Sequence, residues 1–173
     1  MEKLKLVIDK YLSWLLIATM AIMVVNVLWQ VFSRFFLETP SSVTEELARY
    51  LLMWIGLTGG AYAYSQGMHL ALDLLTEKLR GRRKAYSGIL IHSLIGAFTA
   101  GAFIYGGARL VYITLVLDQT SAALQIPMGY VYMAIPVSGM LIVFYSLYYI
   151  RENLANVDAP PEHQRDSSDI QVE

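Results

Sequence analysis

The stretch that decides the fold is Ser41–Asp73, SSVTEELARYLLMWIGLTGGAYAYSQGMHLALD. Ser42-Val43-Thr44-Glu45 has the spacing of a capping box, in which the Ser hydroxyl and the Glu carboxylate satisfy each other's free backbone donors at a helix start. Glu45 and Glu46 then fall in the first turn, where the positive end of the helix dipole favours acids. Arg49 lies four residues after Glu45 and three after Glu46, within reach of both on a helix surface. From Tyr50 to Tyr64 there is no charge, and small residues gather at Gly56, Gly59, Gly60, Ala61 and Ala63. The apolar run closes at Gly67. This reads as a membrane helix with its charges at its ends and a smooth face in its middle.

Working outward, three more apolar runs have spanning character. Residues 12–32 give roughly 32 Å of helix, the thickness of a bilayer's hydrocarbon core. Trp14 and Trp29 sit near its two ends, where indoles favour the interface. Asn26, Gln30 and the Ser33-Arg34 pair recur at helical spacing and form one polar stripe. The run is longer than a signal-peptide core and lacks a small-residue cleavage site, so it reads as a retained helix. Residues 85–117 would reach roughly 50 Å and must tilt or project beyond the core. Residues 129–150 carry Pro136 and Gly139, which predict a kink, and tyrosines at both ends. Between the second and third spans, residues 68–80 place Met68, Leu72, Leu75 and Leu79 on one face. His69, Asp73, Thr76, Glu77 and Arg80 take the other, as in a helix lying in the membrane surface. The polar, Pro-containing residues 151–173 are expected to be disordered. The fold class is thus all-α integral membrane, with four spans at about 12–32, 43–66, 85–117 and 129–150 and one interfacial helix.

Composition agrees and excludes much else. Of 173 residues, 56% are hydrophobic, and the mean hydropathy is +0.47. That is too apolar for an ordinary soluble domain. With no cysteine, thiol redox chemistry, iron–sulfur ligation and disulfides are excluded. A net charge of −1 gives no basic footprint for nucleic acid. Lys3, Lys5 and Lys10 precede the first span; Lys78, Arg80, Arg82, Arg83 and Lys84 lie between the second and third; Arg151 and Arg165 follow the fourth. The opposite loops hold only Arg34 and Arg49. Both termini and the middle loop are therefore expected in the cytoplasm.

Ionisable groups in a membrane usually mark a pathway for ions or substrate. Here Arg34, Glu45, Glu46, Arg49 and Arg109 cluster at the outer ends of their helices, and the midplane is apolar or small. The chain alone is expected to move nothing and to catalyse nothing. Glu45 with Arg49 reads as a partly desolvated helix-end ion pair. His92 reads as a buried histidine bonded nearby or to another helix, because a haem needs a second axial ligand at the same depth. His69 and Asp73 have ligand spacing but lack a third ligand. No cofactor or metal is expected. Gly56 with Gly60, Ala97 with Gly101, and Ala102 with Gly106 are small-xxx-small pairs that let helices approach closely.

Taken in order, Arg34, Pro40, Thr44-Glu45-Glu46 with Arg49, Gly60-Ala61, Gly67-Met68-His69 with Asp73, and Ser121-Ala122-Ala123-Leu124-Gln125-Ile126-Pro127 resemble a known family. It is the DctQ-like small membrane subunit of the tripartite ATP-independent periplasmic (TRAP) transporters, over roughly residues 10–150. Val43 departs from the pattern, standing where the family often has an aromatic residue. The resemblance implies a large elevator-type membrane subunit holding the substrate and sodium sites, and a periplasmic substrate-binding protein delivering an organic acid. This chain would brace the large subunit one-to-one in the bilayer. Arg34, Glu45, Glu46, Arg49, Gly56, Gly60, His69, Asp73, Ser121 and Pro127 are the candidate structural and assembly positions. Two other classes share the gross pattern: a four-helix redox or cytochrome-like subunit, which a visible absorption spectrum would reveal, and an independent small exporter, which would show flux when reconstituted alone.

Overall fold

The computed structural model describes residues 2–36, 41–67 and 82–158. The first helix, α1 (Glu2–Phe36), contains neither Gly nor Pro, and so nothing in its 35 residues interrupts the hydrogen-bond ladder. Glu2 in its first turn and Arg34 in its last both complement the dipole. Helix α2 (Ser42–Ser65) is capped by Ser41, one residue earlier than the capping-box reading places it. The Ser41 side chain accepts the Thr44 N–H at 3.4 Å, and the Thr44 hydroxyl returns to the Ser41 carbonyl at 2.9 Å. Position three of the helix is therefore Thr44, and Glu45 takes no part in the cap. At the other end Gly67 adopts φ +69°, and its N–H bonds back to the Tyr64 carbonyl at 3.2 Å. Only glycine takes that left-handed conformation without steric cost.

The third apolar run forms one long rod with a change of pitch: α3 (Arg82–Thr99), a π-helical segment (Ala100–Gly106), and α4 (Gly107–Val116). After a compact loop come α5 (Met128–Tyr132) and α6 (Ala134–Asp158). The break at Met133 has a plain cause. Pro136 has no N–H to give the Tyr132 carbonyl, so the ladder stops there, and the proline is accommodated in the first turn of α6. The expected kink thus becomes a break one turn before the proline. Helix α6 also runs on to Asp158, eight residues into the segment expected to be a disordered tail; residues 159–173 lie outside the described part. The interfacial helix expected over 68–80, with His69 and Asp73, lies outside it as well.

Among the described residues three stretches are long and apolar enough to cross a membrane: Glu2–Phe36, Tyr86–Val116 and Met128–Ala155. The protein is an all-α membrane protein. Helix α2 is not among the three, because Trp54, Tyr62, Tyr64 and its glycines dilute its apolar content. Helix α1 packs on α2, α2 on α6, and α6 on α3 and the π segment, while α4 holds α5.

Much of the interior is hydroxylic, and most of the large apolar side chains face outward. Ser33, Thr58, Ser65, Thr99, Thr114, Ser121, Ser138 and Ser146 are all buried, as is Asn26. Trp14, Ile17, Val25, Leu28, Leu90 and Phe98 are among the many exposed ones. In a bilayer no hydrophobic force drives helices together, so close packing of small residues and interhelical hydrogen bonds hold them. Several buried hydroxyls bond to the preceding turn: Thr58 to the Trp54 carbonyl, Thr114 to Leu110, Ser138 to Ile135. A Cβ on Gly139 would lie 2.7 Å from the Cβ of Phe103, and one on Gly129 would lie 2.5 Å from Leu115. At these two places backbone meets side chain with no room to spare.

Candidate functional site

Polar side chains concentrate at the two ends of the bundle. At the end reached by the start of α2, Glu46 is the hub. Its Oε2 accepts the N–H groups of Ala123 at 2.8 Å and Leu124 at 2.9 Å, and its Oε1 accepts that of Ala122 at 3.2 Å. Three successive backbone amides converging on one anion form a nest. The Tyr50 hydroxyl, one turn along α2, donates to Oε1 at 2.6 Å and lies 3.2 Å from the Met128 sulfur. One carboxylate thereby fastens α2 to the loop joining α4 to α5.

The loop is shaped to present those amides. Asp118 and Gln125 adopt φ of 53° and 56°, reversing the chain at each side. The Ser121 N–H bonds to the Ile126 carbonyl at 2.9 Å and the Met128 N–H to the Gln119 carbonyl at 2.8 Å. An isolated bridge pairs Thr120 with Pro127, and Pro127 in turn caps α5. The Ser121 hydroxyl is buried inside this turn, beside the Glu46 carboxylate and the Tyr50 hydroxyl. Nearby, the Asn26 amide donates to the Thr44 carbonyl at 2.8 Å, which turns the polar stripe of α1 inward onto α2.

The other sequence-predicted positions behave differently. Glu45 and Arg49 do pair, at 3.2 Å, but their side chains are 63% and 68% exposed. Within the described chain the pair is largely uncovered, although Arg49 lines one cavity with Glu46, Tyr50 and loop residues 119–122. Arg34 is exposed at the end of α1. Gly56 and Gly60 have no atom within 4 Å of where a Cβ would stand, so their face is not spent on packing within the described chain. The small positions used for close approach are instead Gly88, Gly96, Gly107, Gly129 and Gly139.

At the opposite end lies a network that the sequence reading missed. Tyr145, fully buried, donates to Asp9 at 2.6 Å, and Lys5 lies 3.6 Å from the same carboxylate. The Tyr149 hydroxyl reaches the Ser65 carbonyl at 2.5 Å, and its ring stacks on His92 with centroids 5.1 Å apart. His92 Nδ1 and the Tyr64 hydroxyl are 2.7 Å apart, and the Ser146 hydroxyl donates to the His92 carbonyl. His92 is thus bonded to another helix, as expected of it. The tyrosines read as interface markers are in part interior locks joining α1, α2, α3 and α6. Asp9, set between Lys5 and Lys10, was the visible signal of this network in the sequence. Among the described residues no group of three His, Cys, Asp or Glu could hold a metal ion.

With the fold and both polar ends in place, comparison with known proteins is informative. Residues 23–156 match the family model described as "Tripartite ATP-independent periplasmic transporters, DctQ component". The chain belongs to this family. The DctQ-family match takes in the Glu46 hub, the loop it holds and His92 with Tyr64, Ser146 and Tyr149, while Lys5 and Asp9 precede it. Among similar proteins is the C4-dicarboxylate TRAP transporter small permease protein DctQ of Rhodobacter capsulatus, 32% identical over 100 residues, which are 58% of this chain and 44% of that one. The sialic acid TRAP transporter small permease protein SiaQ of Vibrio cholerae is 27% identical over 140 residues, 77% of this chain and 80% of that one. The isethionate TRAP transporter permease protein DctMQ of Oleidesulfovibrio alaskensis is 28% identical over 95 residues, 55% of this chain and 15% of that one. The matched stretch thus spans under half the length of the first of these relatives.

Proposed function

We propose that this DctQ-family chain is the small permease subunit that braces a large, elevator-type membrane subunit during sodium-coupled uptake of an organic anion delivered by a periplasmic binding protein. The observation that carries the reading is how the chain spends its side chains. Its hydrogen-bonding groups are turned inward at the two ends of the bundle, while Gly56, Gly60 and the large apolar residues of α1 are left open on its flank. That is the economy of a rigid strut with a docking face. In this reading α2 also crosses the bilayer: its 24 residues reach roughly 36 Å, and it carries no charge after Arg49. Four spans then place both termini in the cytoplasm and the Glu46 hub and its loop on the periplasmic side.

The relatives named above are named for C4-dicarboxylate, sialic acid and isethionate, three unlike anions. Similar permease proteins named for such different substrates support a bracing role, with selection made in the partner proteins. The DctMQ relative, of which this chain matches only a part, supports a large membrane partner, taken here as one-to-one.

The test is reconstitution. Proteoliposomes containing this chain with a large TRAP membrane subunit and its binding protein should take up the labelled organic anion only with external sodium. Omission of this chain should abolish uptake, and this chain alone should give none. Uptake by the large subunit and binding protein at full rate without this chain would overturn the proposal.

A further inference from the structure

We propose that the cleft between the start of α1 and the end of α6, lined by Glu2, Lys3, Tyr148, Arg151 and Glu152, binds the phosphoethanolamine headgroup of a membrane phospholipid. The cleft measures about 540 Å³ and is open to one side. It lies where two long apolar helices end together, hence at a bilayer surface. Its charged lining consists of two acids and two bases. Glu2, Lys3 and Glu152 form no ion pair within 4 Å among the described residues, although the opposite charges share one concavity. A zwitterion inserted between them answers both signs: phosphate toward Lys3, beside which Arg151 keeps the lining basic, and ammonium toward Glu2 and Glu152.

The lining also discriminates among headgroups. A choline headgroup has no N–H to donate to the carboxylates and is usually held by aromatic faces. The Tyr148 ring already carries the Lys5 ammonium, 5.5 Å from its centroid, and Lys5 is itself tied to Asp9 at 3.6 Å. An anionic headgroup would find the bases but would meet two carboxylates with nothing to offer them. A primary ammonium can donate charge-assisted hydrogen bonds to both. Leu4, Val7 and Tyr11 of α1 and Leu147 of α6, close in sequence to the cleft, are exposed and offer the acyl chains a surface to lie against.

Native mass spectrometry of the full chain, delipidated in detergent and offered dioleoyl phosphatidylethanolamine, phosphatidylcholine or phosphatidylglycerol at equal concentration, tests this. Phosphatidylethanolamine should be retained about tenfold more than either of the others, the equivalent of one extra charge-assisted hydrogen bond. The E2Q/E152Q variant should lose the preference over phosphatidylcholine. The K3A/R151A variant should retain all three lipids weakly. These residues lie at exposed helix ends, so unchanged thermal stability is expected, and it keeps the comparison valid. Equal retention of the three lipids, preference for phosphatidylglycerol, or an intact preference in E2Q/E152Q would overturn the proposal. So would displacement of the lipid by equimolar free phosphoethanolamine, because the source would then be a soluble ligand.

Discussion

Glu45 and Glu46 are adjacent and chemically identical near the start of α2, yet the structure gives them different work. Glu45 holds Arg49 in solvent, where i,i+4 pairs contribute only about 0.3–0.5 kcal/mol. Glu46 satisfies three backbone amides and a tyrosine hydroxyl, and its removal would leave all of them without that acceptor. Thermal unfolding of the purified chain should therefore rank the variants. Glu46→Ala should lower the midpoint most, Glu46→Gln less, and Glu45→Ala or Arg49→Ala hardly at all. A Glu45→Ala effect as large as that of Glu46→Ala would contradict the assignment. At the other end, Tyr145→Phe removes the buried donor to Asp9 and should cost about 1–3 kcal/mol, readable in the same melts. The Thr-Glu-Glu motif was legible in the sequence, but the choice between its acids was not. The donors that decide it are main-chain N–H groups 76 to 78 residues away, which no sequence letter announces. Tyr145 was misplaced for a related reason: composition puts tyrosines at interfaces, and only the position of Asp9 on a neighbouring helix draws this one inside.

Among the elements, the long helices could be read from runs without charge, and the end of α2 from Gly67. The π segment could not, since Ala100–Gly106 has the same apolar period as its flanks and its extra residue per turn is a response to packing. Gly139 is the neighbour that lets Phe103 and Ile104 come close. Gly139→Val should therefore destabilise the fold by about 1–3 kcal/mol, the usual cost of overpacking. Gly101→Ala, made in the same segment with no atom within 4 Å of the new Cβ, should be neutral or mildly stabilising. Chemical denaturation of both variants in mixed micelles distinguishes them. Equal losses would show that the segment tolerates no side chain at all, whatever its neighbours. The break at Met133 was foreshadowed by Pro136, but it falls one turn earlier than the residue that causes it, as the missing N–H requires.

The whole molecule is a bundle locked at its ends and open along its flank. That arrangement supports the central proposal, that the face of α2 left open around Gly56 and Gly60 serves a larger membrane partner and not the fold of this chain. The most direct measurement is co-purification of the double variant Gly56→Leu/Gly60→Leu with the large TRAP membrane subunit, alongside a thermal melt of the small subunit alone. The account predicts an unchanged melt and loss of the one-to-one complex. A complex recovered in full yield, or a small subunit that no longer folds, would contradict it.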